Sequence, residues 1–439
     1  MRNAIFYLTY NGLYNFTNGI GTQTQLLIGG LEVLRARLVR EYGPIDLHVV
    51  CPSPDAQTWG YDQPFFQQQQ KRLAALGGYV HFVPYKREAA QDLWEIRSWK
   101  ALCQNVAPLL HTQTATSYER SLIICVDQPW LQTPYALGIG QNLPQNVDML
   151  LVLYSTAFIR GWETPDKAEI AWEQRGLDAS VPDSRVAIAD ICPSFTSHLR
   201  EHFRISTGQF APYTSSILLD DPVFVIQDET AVAQTLRAYG IPLDANLVLA
   251  FGRAAPIKGF ERLIPALAPL RDRVHFVLIS VPYINHDSQQ EIYDRLLQQH
   301  AIRATHIRTF SRDLPRALCQ WARTKIVTVS SLHETFSNIP LEVALWARER
   351  GPVVVASNAG GFVDQIEPDV TGFLVNILSR EHVTQTLHRV LALDPEAQAT
   401  IRRRAFKRVI QNYNFVHNFP ATLRWFWQNE PHRREHQAR

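Results

Sequence analysis

Two glutamates, Glu334 and Glu342, are the side chains with the clearest potential for chemistry in this sequence. They stand eight positions apart, so a helix over the whole stretch would carry both carboxylates on nearly the same face. A loop at the first and a helix start before the second would also let both reach one ligand. Backbone N–H groups at a helix start can receive an anion, and a carboxylate accepts hydrogen bonds from sugar hydroxyls. The pair suits a ligand that combines a sugar, a phosphate and a ribose, although spacing alone leaves an acid/base couple or two unrelated surface glutamates open.

Two loops in the same half of the chain carry residue types that bind phosphate. Gly252, Arg253 and Lys258 follow a run of apolar residues, in a loop bounded by glycine and proline. Arginine offers a planar fork of donors and lysine a point charge, so the two cations suit a diphosphate; a solvated basic loop is the alternative. Gly360 and Gly361 follow another apolar run, where the absence of side chains permits a close approach of the backbone to a ligand.

The first half of the chain offers candidates for binding a second ligand. Gly19 and Gly21 stand in a glycine-containing loop before a helix-like stretch, and both substrate contact and a plain tight turn are open. Asp127 follows a strand-like run, where it could bind an acceptor hydroxyl or amine or simply cap a helix. Trp130 follows closely and Tyr154 comes after the next strand-like run. Asp127 and Trp130 suggest a polar, partly aromatic pocket.

Short apolar runs that alternate with longer helical patterns must position these residues. Continuous apolar runs are typical of strands buried on both faces, and strand–helix alternation produces parallel sheets with right-handed crossovers. Ligands of such sheets bind beyond the carboxyl ends of the strands, where the candidate residues fall. The sequence therefore predicts an α/β protein with two Rossmann-like domains. The predicted strands cover residues 4–10, 46–51, 79–84, 121–126, 149–154, 185–189, 247–252, 274–280, 306–310, 326–329, 353–356 and 372–375.

A break in this alternation divides the chain. Asp220-Asp221-Pro222 interrupts the pattern, and a helical stretch over residues 229–239 precedes the next strand. Residues 159–183 read as an insertion that could overhang a cleft, or as a surface helix. We expect a first domain over residues 1–221, an interdomain linker over residues 222–245, a second domain over residues 246–412, and over residues 413–439 a helix that could cross back to the first domain, followed by a basic tail.

Composition narrows the class of protein. A chain of 439 residues is too long for one ordinary core and fits two domains. Its apolar fraction of 46% is that of a globular protein, and its net charge of +2 is too small to argue for nucleic-acid binding. The five cysteines form no CxxC pair, so neither a disulfide framework nor a zinc site is predicted. The sequence lacks a signal-peptide pattern and an apolar stretch of membrane-spanning length, so we expect no transmembrane segment and a cytoplasmic location.

Three segments of the second half, in this order and spacing, resemble the C-terminal domain of the retaining GT-B glycosyltransferases of family 4, the glycosyl transferases group 1. The match is carried by Phe-Gly-Arg with Lys-Gly in residues 251–259, by the paired glutamates of residues 334–344, and by the double glycine and Thr-Gly-Phe of residues 352–373. It is good over about residues 246–376 and weaker over residues 1–221. The resemblance implies a GT-B fold, in which two Rossmann-like domains face each other across a cleft. The first would bind the acceptor and the second a nucleotide-sugar.

The resemblance also implies roles for individual residues. Arg253 and Lys258 would neutralise the diphosphate and the charge that builds on it as the bond to the sugar breaks. Glu334 would contact the donor sugar, and these three residues form the predicted catalytic set. Glu342 would accept hydrogen bonds from the ribose hydroxyls. The remaining predicted donor contacts are Gly19, Gly21, Gly252, Phe336, Ser337, Asn338 and Ile339.

The predicted acceptor contacts are Asp127, Trp130 and Tyr154, in the half of the chain that departs most from the family pattern. Tyr154, for example, stands near the place where many relatives have a histidine. The sequence has no DxD motif, and Arg253 and Lys258 would supply the positive charge, so no metal or other cofactor is expected. The resemblance implies transfer of a hexosyl unit from a nucleotide-sugar, with a UDP-sugar favoured, to a small polar or sugar-like acceptor with retention of configuration. The oligomeric state cannot be read from the sequence.

Other readings keep the fold and change the reaction. These alternatives are a sugar phosphorylase and a pseudo-glycosyltransferase that joins a cyclitol to an amine. A further alternative is a nucleotide-sugar-binding module that has lost catalysis. An NAD-dependent oxidoreductase fits least, because no GxGxxG follows a strand with an acidic residue about 20 positions on.

Overall fold

The computed structural model describes residues 2–15, 19–55, 58, 60–161, 163–282, 288–311 and 313–428. These residues form two compact units. The first unit runs up to Leu218 and resumes at Phe415, and the second unit comprises Leu219–Asn414.

The first unit is built on a parallel sheet of seven strands in the order β3-β2-β1-β4-β5-β6-β7. Every residue of β1 is buried, which explains why its sequence is apolar without alternation. The strands are β1 Asn3–Leu8, β2 Ile45–Pro52, β3 Val80–Val83, β4 Arg120–Val126, β5 Val147–Val152, β6 Val186–Asp190 and β7 Phe210–Pro212. The helices between them are α1 Gly19–Tyr42, α2 Gln63–Ala75, α3 Ile96–Ser117, α4 Thr133–Ala136, α5 Ala157–Arg160, α6 Lys167–Asp178 and α7 Pro193–Phe203.

The second unit is built on a parallel sheet of six strands in the order β10-β9-β8-β11-β12-β13. Its core packs Phe276 and Tyr293 with aliphatic side chains from the central strands and flanking helices. The strands are β8 Leu247–Arg253, β9 His275–Val281, β10 Ala304–Ile307, β11 Thr324–Val329, β12 Val353–Ser357 and β13 Phe373–Val375. The helices are α8 Glu229–Ala238, α9 Phe260–Ala266, α10 Gln289–Gln299, α11 Asp313–Gln320, α12 Asn338–Trp346, α13 Phe362–Gln365, α14 Arg380–Leu391 and α15 Pro395–Asn412.

The last helix, α16 (Phe415–Trp427), belongs to the first unit. It packs against α1 and β7, and the Phe415 N–H donates to the Ile217 carbonyl at 3.0 Å. A Cβ on Gly30 of α1 would lie 2.1 Å from the Phe415 ring, so this glycine makes room for the helix. Helix α16 therefore packs within the first unit, as the sequence analysis allowed.

Residues 222–245, expected as an interdomain linker, are packed within the second unit. Helix α8 lies against α11, and the Gln227 N–H donates to Gln320 Oε1 at 2.8 Å. The indole Nε1 of Trp346 donates to the Val223 carbonyl at 2.9 Å. The contacts thus place the start of the second unit at Leu219 rather than at residue 246.

The prediction of an α/β fold with two parallel sheets is confirmed. Each of the twelve predicted runs overlaps a strand, whereas β7 was not predicted. The predicted run over residues 306–310 is displaced, since β10 ends at Ile307. Among the described residues, the helices are too short or too polar for any of them to traverse a bilayer.

Candidate functional site

An ion pair lies at the carboxyl edge of the second sheet, where the sequence predicted phosphate and sugar binding. Lys258 Nζ donates to Glu334 Oε2 at 2.9 Å and to Ser331 Oγ at 3.4 Å. The Ser331 hydroxyl in turn lies 3.4 Å from the same carboxylate oxygen. The two charged side chains are 19% and 15% exposed, so the pair is partly shielded and still open to a ligand. The structure therefore brings together two of the three predicted catalytic residues.

The loop that carries Lys258 is fixed by the loop that follows β11. The Ser330 hydroxyl donates to the Lys258 carbonyl at 2.8 Å, and the Leu332 N–H donates to the Ile257 carbonyl at 2.8 Å. Gly259, directly after Lys258, has a φ of +66°, and a Cβ there would lie 2.1 Å from the Ser330 carbonyl oxygen. Because β8 and β11 are neighbours in the sheet, these contacts hold Lys258 beside the loop that contains Glu334.

The double glycine positions the Glu334 backbone. Gly360 has a φ of +48°, and a Cβ there would lie 1.6 Å from the Glu334 carbonyl oxygen. A Cβ on Gly361 would lie 2.3 Å from the Thr335 carbonyl oxygen. The sequence predicted close backbone approach at these glycines, and the approach that the structure records is to the loop carrying Glu334.

Helix α12 begins immediately after this loop. The Ser337 hydroxyl accepts a hydrogen bond from the Ile339 N–H at 3.3 Å and so caps the helix, and Asn338 is its first residue. The Ser337 carbonyl accepts from Gln365 Nε2 at 2.6 Å, which ties the helix start to α13. The ring of Phe336 packs against Tyr413, with 5.7 Å between the ring centroids, so its side chain has a structural role.

The other predicted donor-side residues of the second unit lie on elements that reach this edge. Gly252 and Arg253 are the last two residues of β8, and both are half-buried. Glu342 lies on α12, is also half-buried, and adds to the effect of burial in raising the pKa of the Cys319 thiol. Within the described ranges, no group of three or more His, Cys, Asp or Glu side chains has the arrangement of a metal site.

In the first unit, Asp127 occupies the end of β4 in an unusual backbone conformation. Its φ is +59°, its residue surface is 3% exposed, and its carboxylate accepts hydrogen bonds from the Tyr154 N–H at 2.7 Å and the Tyr10 hydroxyl at 3.0 Å. Burial raises the pKa of this carboxyl group to about 6, although both hydrogen bonds oppose the shift. Its side chain makes no capping hydrogen bond to the short 3₁₀-helix that follows, so the helix-cap alternative does not account for it.

The remaining residues predicted for the first unit have different surroundings. Trp130 is fully buried in the core and presents no surface to an acceptor. The Tyr154 hydroxyl donates to Gln23 Oε1 at 3.3 Å. Gly19 opens α1 with free space around it, whereas a Cβ on Gly21 would lie 2.4 Å from Asn11 Oδ1. Both glycines lie in the first turn of α1 rather than in the predicted loop, and of the two only Gly21 has close neighbours.

Glu173 is a site-supporting residue that the sequence reasoning missed. It is fully buried on α6, and both carboxylate oxygens accept from the Ala157 N–H at 3.0 Å. It also accepts from Gln128 Nε2 at 2.8 Å and pairs with Arg160 at 3.2 Å. Gln128 directly follows Asp127, and Ala157 begins the helix after β5.

Helix α6 therefore belongs to the framework of this unit. Its neighbouring Trp172 donates from Nε1 to the Gln128 carbonyl at 2.9 Å, so two consecutive residues hold the segment after β4. The stretch over residues 159–183 was read as an overhanging insertion or a surface helix. The sequence signal that could have revealed this role is a charged residue next to a tryptophan on the inner face of a helical pattern.

Solved structures of other proteins share this two-sheet fold. Sucrose-phosphate synthase from Thermosynechococcus elongatus matches with a TM-score of 0.71 at 15% identity, over 100% of this chain and 100% of its own. HepE from Anabaena in complex with UDP matches with a TM-score of 0.68 at 16% identity, over 96% of this chain and 99% of its own. Identities this low establish the fold alone, and that fold is the GT-B fold of two Rossmann-like domains.

Sequence comparison places the second unit in a family. Residues 233–408 match the family described as glycosyl transferases group 1. The D-inositol 3-phosphate glycosyltransferase of Kribbella flavida is 32% identical over 197 residues, which are 43% of this chain and 44% of that protein. The protein of the same name from Corynebacterium aurimucosum is 24% identical over 275 residues, 61% of this chain and 59% of its own.

The chain thus spans about half the length of the curated relatives it matches. The resemblance of the second half of the chain to glycosyl transferases group 1 is confirmed over residues 233–408.

Proposed function

We propose that the protein is a retaining glycosyltransferase of family 4, which transfers a hexosyl unit from a nucleotide-sugar to a small polar or sugar-like acceptor. The observation that carries the proposal is the Lys258–Glu334 ion pair at the carboxyl edge of the second sheet, next to the capped start of α12. Two comparisons support, in turn, the reaction class and a UDP-sugar donor. The matched relatives are named glycosyltransferases, and the Anabaena protein was solved with UDP and with UDP-glucose.

The second unit would bind the donor with cations at the diphosphate and with carboxylates at the sugar and the ribose. Lys258 and Arg253 would face the diphosphate, where cations counter the negative charge that grows as the leaving group departs. Glu334, oriented by Lys258, would accept hydrogen bonds from donor-sugar hydroxyls. Glu342 would do the same for the ribose, and the N–H groups at the start of α12 would meet the sugar or the phosphate.

Retention would follow from attack on the face that the leaving group vacates. The bond between the anomeric carbon and the phosphate oxygen breaks, and the acceptor oxygen forms its bond to that carbon on the same face. The acceptor proton passes to the departing phosphate oxygen. Both glutamates are assigned to binding in this scheme, so the protein supplies position and charge rather than a nucleophile. We propose that the two cations make a metal unnecessary.

Asp127 would contribute on the acceptor side. Its pKa of about 6 leaves the carboxyl group able to hold or release a proton close to neutral pH. The backbone N–H of Tyr154 and the hydroxyl of Tyr10 fix the carboxylate from two directions. An acceptor hydroxyl or amine near this group would meet a hydrogen-bonding partner whose protonation state is set by burial.

The test compares Lys258→Ala with Lys407→Ala, a lysine exposed on α15 of the same unit. UDP release from UDP-glucose and UDP-N-acetylglucosamine is followed with a panel of sugar, inositol and aminocyclitol acceptors, with and without EDTA. We expect Lys258→Ala to lower turnover by about 10²–10³-fold, as the loss of one charge-stabilising donor does, and Lys407→Ala to leave it unchanged. Equal turnover in the two variants would refute the donor-site assignment.

Other outcomes of the same assay identify the alternatives. A requirement for inorganic phosphate in place of a nucleotide leaving group would indicate a sugar phosphorylase. A product without an anomeric carbon at the new bond would indicate a pseudo-glycosyltransferase. Calorimetric binding of UDP without turnover on any acceptor would indicate a binding module, and loss of turnover in EDTA would refute metal independence. NMR of the product's anomeric proton reports retention or inversion.

A further inference from the structure

The amino edge of the second sheet, opposite the proposed donor site, gathers cations from two separate segments. Arg323 precedes β11 and Lys325 is the second residue of that strand. Ile326 is in register with Val353 of β12, so Lys325 lies beside the start of the neighbouring strand. Arg402 of α15 donates from Nη1 to the carbonyl of Gly351 at 3.1 Å, just before that start. The fold therefore brings Arg402 to the same edge as Lys325.

The charges at this edge are not balanced. Burial lowers the pKa of Lys325, and the positive charges of Arg323 and Arg402 lower it further. Burial and the charge of Arg403 act on Arg402 in the same direction. In the part of the chain that the structure describes, Arg403 pairs with Glu396 at 2.7 Å, whereas Arg323, Lys325 and Arg402 have no ion pair with a carboxylate.

Two of these cations have hydrogen-bonding capacity left for a ligand. Among the described residues, Lys325 Nζ donates one hydrogen bond, to the Ala322 carbonyl at 3.2 Å. An ammonium group has three N–H donors. Arg402 Nε is buried, and among the described residues it has no hydrogen-bond partner. A buried donor without a partner is costly, and a nearby anion would relieve both this deficit and the mutual repulsion.

We infer that Arg323, Lys325 and Arg402 form a binding site for a phosphate group on a small soluble molecule, separate from the proposed donor site. A guanidinium fork beside an ammonium group matches the oxygens of a phosphate. The six residues of β11 span about 20 Å between this edge and the loop toward Glu334, so one ligand cannot occupy both sites. The site does not depend on the proposed function.

The surroundings favour a compact phosphate over a membrane surface. Lys325 and Arg402 are half-buried, so the charges are recessed, with Arg323 as the exposed member. Among the large exposed apolar side chains of the described residues, Val225 comes near this edge, because its carbonyl accepts from Gln320 Nε2 at 3.1 Å, and a single valine does not make an apolar patch. A peripheral membrane surface combines basic residues with apolar ones that enter the lipid.

The test uses Lys258→Ala as the parent protein, because this change weakens the proposed donor site and leaves the amino edge intact. Inorganic pyrophosphate is titrated at constant ionic strength set with sodium chloride, and the unfolding temperature and the calorimetric Kd are measured. We expect pyrophosphate to raise the unfolding temperature by at least about 2 °C. Adding Lys325→Met should weaken Kd at least tenfold, whereas adding Lys407→Met, an exposed lysine of α15, should not change it.

A second measurement distinguishes a ligand site from a merely structural role. Without pyrophosphate and at low salt, Lys325→Met should unfold at the same temperature as its parent or higher, because the change removes a repelled charge. No pyrophosphate effect on the Lys258→Ala parent, or an equal effect in the Lys325→Met and Lys407→Met variants, would overturn the proposal. Binding to phosphatidic acid vesicles without binding to pyrophosphate would overturn it in favour of a lipid headgroup.

Discussion

Glu334 in the second unit and Asp127 in the first unit are both carboxyl groups beyond the carboxyl end of a parallel strand, but their environments differ. Glu334 faces the ammonium group of Lys258 at 2.9 Å, with 15% of its side chain exposed. Asp127 is almost fully buried and receives hydrogen bonds from neutral donors, a backbone N–H and a tyrosine hydroxyl. The charge of the Glu334 carboxylate is therefore balanced by the Lys258 ammonium group. Burial instead raises the pKa of the Asp127 carboxyl group.

The difference separates two ways of preparing a polar site. The ion pair with Lys258 orients the Glu334 carboxylate and leaves it accessible to hydroxyl groups. Burial with neutral donors raises the pKa of Asp127 to about 6, so its charge depends on pH in the physiological range. In the proposed function, the second unit would bind the charged diphosphate of the donor, and Asp127 in the first unit would meet a partner that exchanges a proton.

The largest expected effect comes from Gly360, which supports the Glu334 loop. Gly360→Ala places a Cβ 1.6 Å from the Glu334 carbonyl oxygen in a backbone with φ of +48°. We expect a loss of about 3–4 kcal/mol in the free energy of unfolding, from left-handed strain and a clash with backbone. The matched control is Gly240→Ala, with φ of +67° and no atom near the added Cβ, which should lose only about 1 kcal/mol. Chemical denaturation measures both losses. If they were equal, the Glu334 loop would be able to move away from the added Cβ, and the prediction would be wrong.

The next effect tests whether a buried carboxylate organises the first unit. Glu173→Ala leaves the Ala157 N–H, the Gln128 amide and the Arg160 guanidinium without this acceptor. We expect a loss of about 3 kcal/mol in the free energy of unfolding. Glu169→Ala is the control, because Glu169 lies on the same helix and pairs with the same Arg160 but is 25% exposed. It should lose about 1 kcal/mol or less, and a similar loss in both variants would contradict the framework role of Glu173.

Much of the fold was predictable from the sequence because its strands are buried on both faces. Runs such as Ile326–Val329 and Val353–Ala356 are continuous and apolar, which is how a central parallel strand reads. Strand β7 escaped because it has only three residues, ends in a proline and lies at the edge of the sheet. The segment over residues 222–245 looked like a linker because its contacts with α11 and Trp346 are made by tertiary packing, which leaves no local pattern.

The sequence predicted individual residues for the candidate site but not their contacts with one another. Lys258 and Glu334 were each assigned to a ligand, whereas the structure also pairs them with each other across 76 positions of sequence. That pairing follows from the adjacency of β8 and β11, which single runs of sequence do not reveal. Trp130 illustrates the opposite error, because an aromatic residue after a strand suggested a pocket and the packing placed it in the core.

A pH-dependent effect of similar size tests the environment of Asp127. Its folded-state pKa of about 6 exceeds the usual value of about 3.9, so between about pH 4 and 6 the folded state keeps a proton that the unfolded state has lost. The contribution to stability is therefore lost as pH rises through this window, and two pKa units correspond to roughly 3 kcal/mol. Asp127→Asn removes the charge, so it should gain stability over the wild type at pH 7 relative to pH 4. A difference in unfolding free energy that is the same at both pH values would contradict a raised pKa.

The smallest expected effect measures the coupling within the Lys258–Glu334 pair. Unfolding free energies of Lys258→Met, Glu334→Gln and the double variant form a cycle that isolates the interaction between the two side chains. We expect about 1 kcal/mol, since the pair is partly shielded from solvent. The control cycle uses Arg389 and Asp369, whose atoms lie 2.7 Å apart but whose side chains are 55% and 58% exposed, and it should give about 0.5 kcal/mol or less. Equal couplings would mean that the glycine and serine contacts alone hold Glu334, and Lys258 would then be available in full to a bound diphosphate.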